Sequence, residues 1–121
     1  MDGVLPKRTM IEGYGKGSFR ISGDSYEGSV LLSTRSIFAW DVTMPDDISA
    51  ASLEPLLTAN PDTEILLIGA GTTFSRPDPE LQQSLRARGI IMDMMDTGAA
   101  CRTFNVLAAE DRNVAAALIA V

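Results

Sequence analysis

The chain has 121 residues, of which sixteen are acidic and ten basic, and the resulting net charge of -6 disfavours binding to nucleic-acid phosphates. It contains no histidine and one cysteine, which excludes a Ser/His/Asp triad, a Cys/His pair, a histidine-ligated metal and an intrachain disulfide. This length predicts one domain spanning residues 1–121.

The distribution of apolar residues predicts a cytoplasmic protein. Residues 1–16 lack the apolar run of a signal peptide, and Asp2 and Glu12 oppose an Arg-rich transit peptide. The longest apolar runs, residues 65–71 and 114–121, are far shorter than the ~20 residues that cross a bilayer. We therefore expect no membrane span.

Residues 9–42 are divided by glycines into short runs rich in β-branched and aromatic residues, a pattern that predicts strands and tight turns. Phe19 and Ile21 alternate with polar residues, residues 23–25 predict a turn, and residues 26–32 predict the next strand. The expected structure is a β-meander with one face toward the core.

The hydrophobic period changes after residue 42. In residues 46–60, Leu53, Leu56 and Leu57 mark one face of a helix that Ser52 would cap. Residues 64–68 form an unbroken apolar run, which predicts a strand buried on both faces.

The second half of the chain continues to alternate helix and strand. Asp78 predicts a helix cap with Pro79 in the first turn, and residues 90–94 predict a second buried strand. A cap at residues 96–98 predicts a helix over residues 99–109. The final apolar run favours a strand, although its alanines also allow a helix. This order indicates an α/β fold, a mixed sheet with helices packed against it.

The loops that follow the two predicted buried strands would meet at one edge of the sheet. Gly69 and Gly71 allow close approach of the backbone. The side chains of Thr72, Thr73 and Arg76 offer hydrogen-bond donors. The start of the next helix presents free N–H groups to an anion. The glycine spacing matches neither a dinucleotide fold nor a P-loop. The candidate ligand crevice comprises Gly69, Gly71, Thr72, Thr73, Arg76, Thr97, Cys101, Thr103 and Asn105.

Several of these residues also have a purely structural interpretation. The glycines would make a turn, and the polar side chains would satisfy backbone groups around the loop. Cys101 is either a thiolate favoured by the helix start or a small buried side chain. Asp93 and Asp96 suit either acid/base chemistry or helix capping. Trp40 suits either the core or a partner surface.

Segments spread over nearly the whole chain carry a resemblance: residues 13–15, Phe19, residues 26–30, Trp40, residues 64–71, residues 97–107 and residues 114–118. They resemble the family of small α/β domains that includes mitochondrial complex I assembly factor 3 and the adipogenesis-associated domain protein. The run TGAACRTFNVL at residues 97–107 is the most specific part. The chain has Ala70 and Phe104 where relatives often carry threonine and tyrosine, and both changes remove a hydroxyl.

The resemblance implies a three-layer fold, which together with the order of elements predicts three layers around a mixed, mainly parallel central sheet with an N-terminal β-meander. It implies no catalytic residues, and we predict no cofactor or metal. Two hypotheses follow: a non-catalytic, protein-binding domain like an assembly factor, or a domain that binds a small acid or phosphate with unknown enzymatic activity. The sequence leaves the ligand, the partner and the oligomeric state open.

Overall fold

The computed structural model describes residues 9–72 and 76–121. The chain begins with an antiparallel meander of three short strands: β1 (Ile11–Gly15), β2 (Ser18–Ile21) and β3 (Asp24–Glu27). On β2, Phe19 and Ile21 are buried and Arg20 is exposed, because successive side chains of a strand point to opposite faces. The predicted meander is confirmed.

The next two strands, β4 (Ser29–Ser33) and β5 (Ile37–Trp40), belong to a second sheet. The prediction of one strand over residues 26–32 is wrong, because Gly28 adopts a φ of 82° and turns the chain from the small sheet into the large one. Trp40 at the end of β5 is buried, and its Nε1–H donates a hydrogen bond to the Ser52 carbonyl oxygen at 3.1 Å. Trp40 is therefore a core residue.

After a 3-10 turn at Pro45–Asp47, helices and strands alternate to the end: α1 (Ala50–Ala59), β6 (Ile65–Gly69), α2 (Pro79–Ala87), β7 (Ile91–Met95), α3 (Thr97–Ala109) and β8 (Val114–Leu118). The large sheet has the order β5-β4-β8-β6-β7. Strand β6 is parallel to β7 and β8, whereas β4 is antiparallel to β5 and β8. The predicted mixed sheet is confirmed.

The large sheet is the middle of three layers. On one face, α1 and α2 bury leucines such as Leu53 and Leu85 against Leu66 and Ile68 of β6. On the other face, α3 and the meander bury the side chains of Phe19, Ile21, Ala100 and Phe104 against Leu67 and β8. Burying each of these leucines or phenylalanines contributes roughly 1.5–3 kcal/mol to the free energy of folding. Packing on both faces of the sheet therefore stabilises the three layers.

The final apolar run is a strand at the centre of the sheet. Strand β8 pairs with both β4 and β6, and all five of its residues are buried. Its alanines favour a helix locally, but two ladders of backbone hydrogen bonds outweigh that small preference.

Helix capping follows the predictions with one exception. Asp78 accepts a hydrogen bond from the Glu80 N–H at the start of α2, as predicted. Ser49, not Ser52, caps α1, because the two serines form a capping box in which each side chain accepts from the backbone N–H of the other.

Strand β7 lies at the edge of the sheet and pairs only with β6. The strand predicted over residues 90–94 is present at Ile91–Met95, but its predicted burial is wrong, since Ile91 is 63% exposed and Asp93 is also exposed. Asp93 is the only polar residue of this strand, which is why the apolar run resembled a buried one. In the described part of the chain, no helix is long and apolar enough to cross a membrane.

Candidate functional site

The connectors that follow β6 and β7 lie side by side at one edge of the sheet. The Ala70 N–H donates to the Met95 carbonyl at 2.8 Å, and the Thr97 N–H donates to the Gly71 carbonyl at 2.9 Å. These bonds continue the parallel pairing of the two strands past their ends. The structure thus brings together Gly69, Gly71 and Thr97 of the predicted crevice.

Thr97 is the centre of this rim. Its side chain is completely buried, and its Oγ1 accepts a hydrogen bond from the Gly71 N–H at 3.0 Å and donates one to the Ile119 carbonyl at 2.7 Å. One hydroxyl therefore joins the ends of three segments: the connector after β6, the start of α3 and the end of β8. Both hydrogen-bonding functions of the hydroxyl are occupied by backbone groups.

Gly69 permits this close approach. A Cβ atom at Gly69 would lie 2.9 Å from the Thr97 Cα atom and 3.0 Å from the Leu118 Cδ2 atom. No side chain fits in that space without moving backbone. Ala70 and Phe104 are both buried.

The donors predicted beyond the glycines lie to the side of the rim. Thr72 is exposed, and Thr73 lies outside the described residues. Arg76 is exposed and lines a hollow of about 450 Å³ that Asp46, Asp78 and Met94 also line. We refer to this space as the Arg76 hollow.

Cys101, Thr103 and Asn105 follow along α3. Cys101 is buried in the core beneath α3, and this burial raises the pKa of its thiol to about 11, against the opposing charge of Arg102 and with a smaller upward contribution from Asp96. The thiol is therefore protonated at neutral pH and has the character of a small apolar side chain. The Thr103 hydroxyl donates to the Met95 sulfur at 3.6 Å.

Asn105 lies eight residues beyond Thr97, about 12 Å along the helix axis. Its side chain contacts β1 and not the rim. Its Oδ1 accepts from the Ile11 N–H and its Nδ2 donates to the Ile11 carbonyl, both at 2.9 Å. Asn105 thus replaces a neighbouring strand at the outer edge of β1 and attaches the meander to α3.

Asp96 and Asp93, the two acidic residues near the rim, have different surroundings. The Asp96 carboxylate caps α3 by accepting from the Ala99 N–H at 2.8 Å, as predicted for a cap. Asp93 is exposed on the edge strand β7. Among residues 9–72 and 76–121, no group of histidine, cysteine or acidic side chains could hold a metal ion.

Sequence reasoning missed the surface where β1 crosses α3. Tyr14 lies over the backbone of Gly98, and the Arg102 Nη1 donates to the Tyr14 hydroxyl at 3.2 Å. Val106 lies one helical turn beyond Arg102 on the same side of α3 and is 57% exposed. The pairing of Tyr14 with a glycine in a helix start, 84 residues apart, has no local signal in the sequence.

We name this region the seam surface, and its residues are Tyr14, Arg102 and Val106. A hollow of about 240 Å³ lies along it, lined by Glu12, Tyr14 and Arg102 among others. Tyrosine and arginine are residue types that protein interfaces favour.

The fold and the rim define a class of protein: a three-layer α/β domain in which a meander and one helix cover the same face of a mixed five-stranded sheet. The chain belongs to the family described as "Protein of unknown function (DUF498/DUF598)", whose model matches residues 11–119. The resemblance noted from the sequence is confirmed.

Relatives of known name support the same assignment. The chain is 38% identical over 109 residues to NADH dehydrogenase (ubiquinone) 1 alpha subcomplex assembly factor 3 of Xenopus tropicalis, and 37% identical over 111 residues to the protein of that name from Danio rerio. These alignments cover 90% and 92% of this chain. The chain spans only 60% and 64% of the relatives' length.

A solved structure has the same fold over the full chain. The crystal structure of a protein described as an outer membrane protein from Bartonella henselae matches with a TM-score of 0.86 and 42% identity. The match covers 98% of this chain and 99% of that one. The α/β fold class is therefore established independently of the sequence patterns.

Proposed function

We propose that this chain is a non-catalytic, protein-binding domain that assists the assembly of a membrane-associated NADH dehydrogenase. One observation carries the proposal: curated relatives that are 38% and 37% identical over nearly all of this chain are named as assembly factors of such a complex. Because the chain spans less than two thirds of those relatives, the proposal concerns the part that they share.

The arrangement of the rim supports a binding role over a catalytic one. The Thr97 hydroxyl is occupied by two backbone groups, the Cys101 thiol is buried with a raised pKa, and Asp96 is used as a helix cap. Side chains that sequence reasoning considered for chemistry therefore stabilise the fold. The exposed apolar side chains of the seam surface supply the contact area that a protein partner needs.

A deletion in the native cell tests this function. We expect loss of the chain to lower the amount of assembled NADH dehydrogenase on native gels, together with NADH-dependent quinone reduction in membranes. Wild-type chain should restore both. Normal amounts of assembled, active complex in the deletion strain would contradict the proposal.

A matched pair of variants tests the seam surface as the contact. Val106 and Met44 are each 57% exposed, but only Val106 lies on the seam. We expect Val106→Asp to fail to restore assembly and Met44→Asp to restore it, with circular dichroism showing both folded. Restoration by Val106→Asp would exclude the seam surface and leave the assembly role to another face.

We also propose, as a second candidate, that the Arg76 hollow holds a small carboxylate or phosphate. The supporting observation is that Arg76 is exposed beside a hollow of about 450 Å³ and makes no ion pair within the described residues. Asp46 and Asp78 also line the hollow and oppose an anion, so binding there would depend on Arg76. Inorganic phosphate should raise the melting temperature of the wild type and not of Arg76→Ala, with Arg86→Ala as an exposed arginine control on α2. Equal shifts in all three proteins would count against this site.

A further inference from the structure

The described part of the chain has four strands at the edges of its two sheets, and three of these edges are protected. Exposed strand edges pair with other chains unless charges or covering groups prevent it. Strand β7 carries Asp93 at its centre, and β3 carries Asp24 and Glu27 at its ends. The Asn105 side chain covers the edge of β1 through two hydrogen bonds to Ile11.

Within the described residues, the fourth edge, on β5, has neither kind of protection. Its residues are Ile37, Phe38, Ala39 and Trp40, none of which is charged. The strand pairs with β4 on one side, and no described residue forms a ladder on its other side. An uncharged, open edge of this kind favours addition of a further strand.

The hydrogen-bonding pattern defines which groups point outward from β5. The Ser33 N–H donates to the Ser36 carbonyl at 2.9 Å, so Ser36 and, by alternation, Phe38 direct their backbone groups toward β4. Ile37 and Ala39 therefore direct their N–H and C=O groups outward. An antiparallel strand added at this edge would form hydrogen bonds with these outward groups.

We propose that β5 is the interface for a second copy of this chain, with the two β5 strands antiparallel about a two-fold axis. With Phe38 of both copies at the axis, Ile37 of each copy faces the second copy's Ala39. Each such pair exchanges two N–H···O bonds, because both residues direct their groups outward. The two five-stranded sheets then form one continuous sheet.

Charged residues that flank β5, one before and one after the strand, favour this occupant. Arg35 lies in the turn before β5, and Asp41 directly follows the strand. An antiparallel arrangement places Arg35 beside the second copy's Asp41, and two-fold symmetry repeats the pair. Arg35 already binds Asp62 at 3.2 Å, but its side chain is 64% exposed and the guanidinium has further donors.

An apolar hollow next to the edge provides space for the second copy's side chains. It has a volume of about 610 Å³ and is lined by Ala39, Trp40 and Asp41 of the β5 region and by Ala51 and Pro55 of α1. Phe38 is packed with the core on the same face of the sheet. The second copy's Phe38 would approach this hollow from the axis and bury apolar surface there.

Light scattering after size-exclusion chromatography, over a range of concentrations, tests the dimer. The wild type should approach twice the 12.9 kDa chain mass as concentration rises. Ala39→Lys, which places a charge in the centre of the edge, should remain at the monomer mass. Ile91→Lys places the same charge on the exposed edge strand β7 and should dimerise as the wild type does.

Charge reversal tests the orientation of the two copies. Arg35→Asp and Asp41→Arg should each weaken the dimer about tenfold, since each replaces an attractive pair by a repulsive one at both ends. The double variant, which exchanges the two charges, should recover most of the loss. Equal loss in the double variant would overturn the antiparallel register.

Amide hydrogen exchange identifies the occupant directly. We expect the Ile37 and Ala39 amides to exchange more slowly as concentration rises. A chain that stays monomeric up to about 1 mM overturns the proposal. Slow exchange at these two amides in a monomer would also overturn it, because it assigns the edge to a segment of the same chain. Circular dichroism on every variant separates loss of pairing from loss of folding.

Discussion

A Cβ atom on Gly69 would lie 2.9 Å from the Cα atom of Thr97, so these two residues set the distance between the end of β6 and the start of α3. This contact involves a backbone atom of Thr97, which cannot move aside as the tip of a long side chain can. The rim owes its geometry to this contact and to the three segments that the Thr97 hydroxyl joins. Testable consequences follow for each residue.

Gly69→Ala should lower the free energy of unfolding by about 2–3 kcal/mol, because overpacking against backbone forces the β6 and α3 segments apart. Gly13→Ala is the matched control, since a Cβ there meets nothing within 4 Å. That control should change stability by no more than about 0.5 kcal/mol. Urea denaturation of both variants measures the difference, and equal stability of the two would contradict the close-approach argument.

Thr97→Val should lower the free energy of unfolding by about 2–4 kcal/mol, because it leaves the Gly71 N–H and the Ile119 carbonyl without their hydrogen-bond partner. Thr97→Ser keeps the hydroxyl and loses only a methyl group, for a cost of about 1 kcal/mol. Denaturant unfolding distinguishes the two. If valine were tolerated as well as serine, the hydroxyl would not be joining these segments.

Asn105→Ala should speed hydrogen exchange at the Ile11 amide by tenfold or more, since its acceptor is lost and β1 is no longer attached to α3. The cost in global stability should be about 1–3 kcal/mol. Thr103→Ala, on the same helix, loses only a weak contact to the Met95 sulfur and should leave Ile11 exchange unchanged. Unchanged exchange in Asn105→Ala would mean that other contacts hold the strand.

The free energy of unfolding should fall as pH rises from about 9 to about 11 because of Cys101. Its folded pKa of about 11 lies above the usual value of 9.0, so only the unfolded state loses the thiol proton in this window. The stabilisation is fully present below pH 9, and the loss should reach about 2–3 kcal/mol. Cys101→Ala removes this component, and the difference between the two pH profiles isolates it from lysine and tyrosine titration.

At neutral pH, Cys101 should resist alkylation by iodoacetamide in the folded chain and react after denaturation. Rapid modification of the native protein would show that the thiol is accessible. The same experiment tests the burial of Cys101 that the structure shows.

Local patterns predicted most helices because the responsible interactions are local. The caps at Asp78 and Asp96 and the leucine spacing of α1 all act within one or two helical turns. The Ser52 prediction failed for α1 because two serines three residues apart are equivalent in the sequence. Only the backbone conformation of Ser49 shows which one begins the helix.

Strand position was harder to predict than strand existence. Residues 91–95 are apolar enough for a central strand, yet β7 is at the edge, because the order of strands depends on which crossovers pack best. The break at Gly28 was missed for a similar reason. A glycine between two β patterns is compatible with continuing the strand or with leaving the sheet.

Composition and local pattern by themselves determined the α/β class, the alternation of helices with strands, and the absence of histidine chemistry and disulfides. The tertiary structure alone decided which polar groups meet: Thr97 with Gly71 and Ile119, Asn105 with Ile11, and Arg102 with Tyr14. These partners lie between 22 and 94 residues apart. Contacts over such distances depend on how three layers pack at once, and no short window of sequence contains that information.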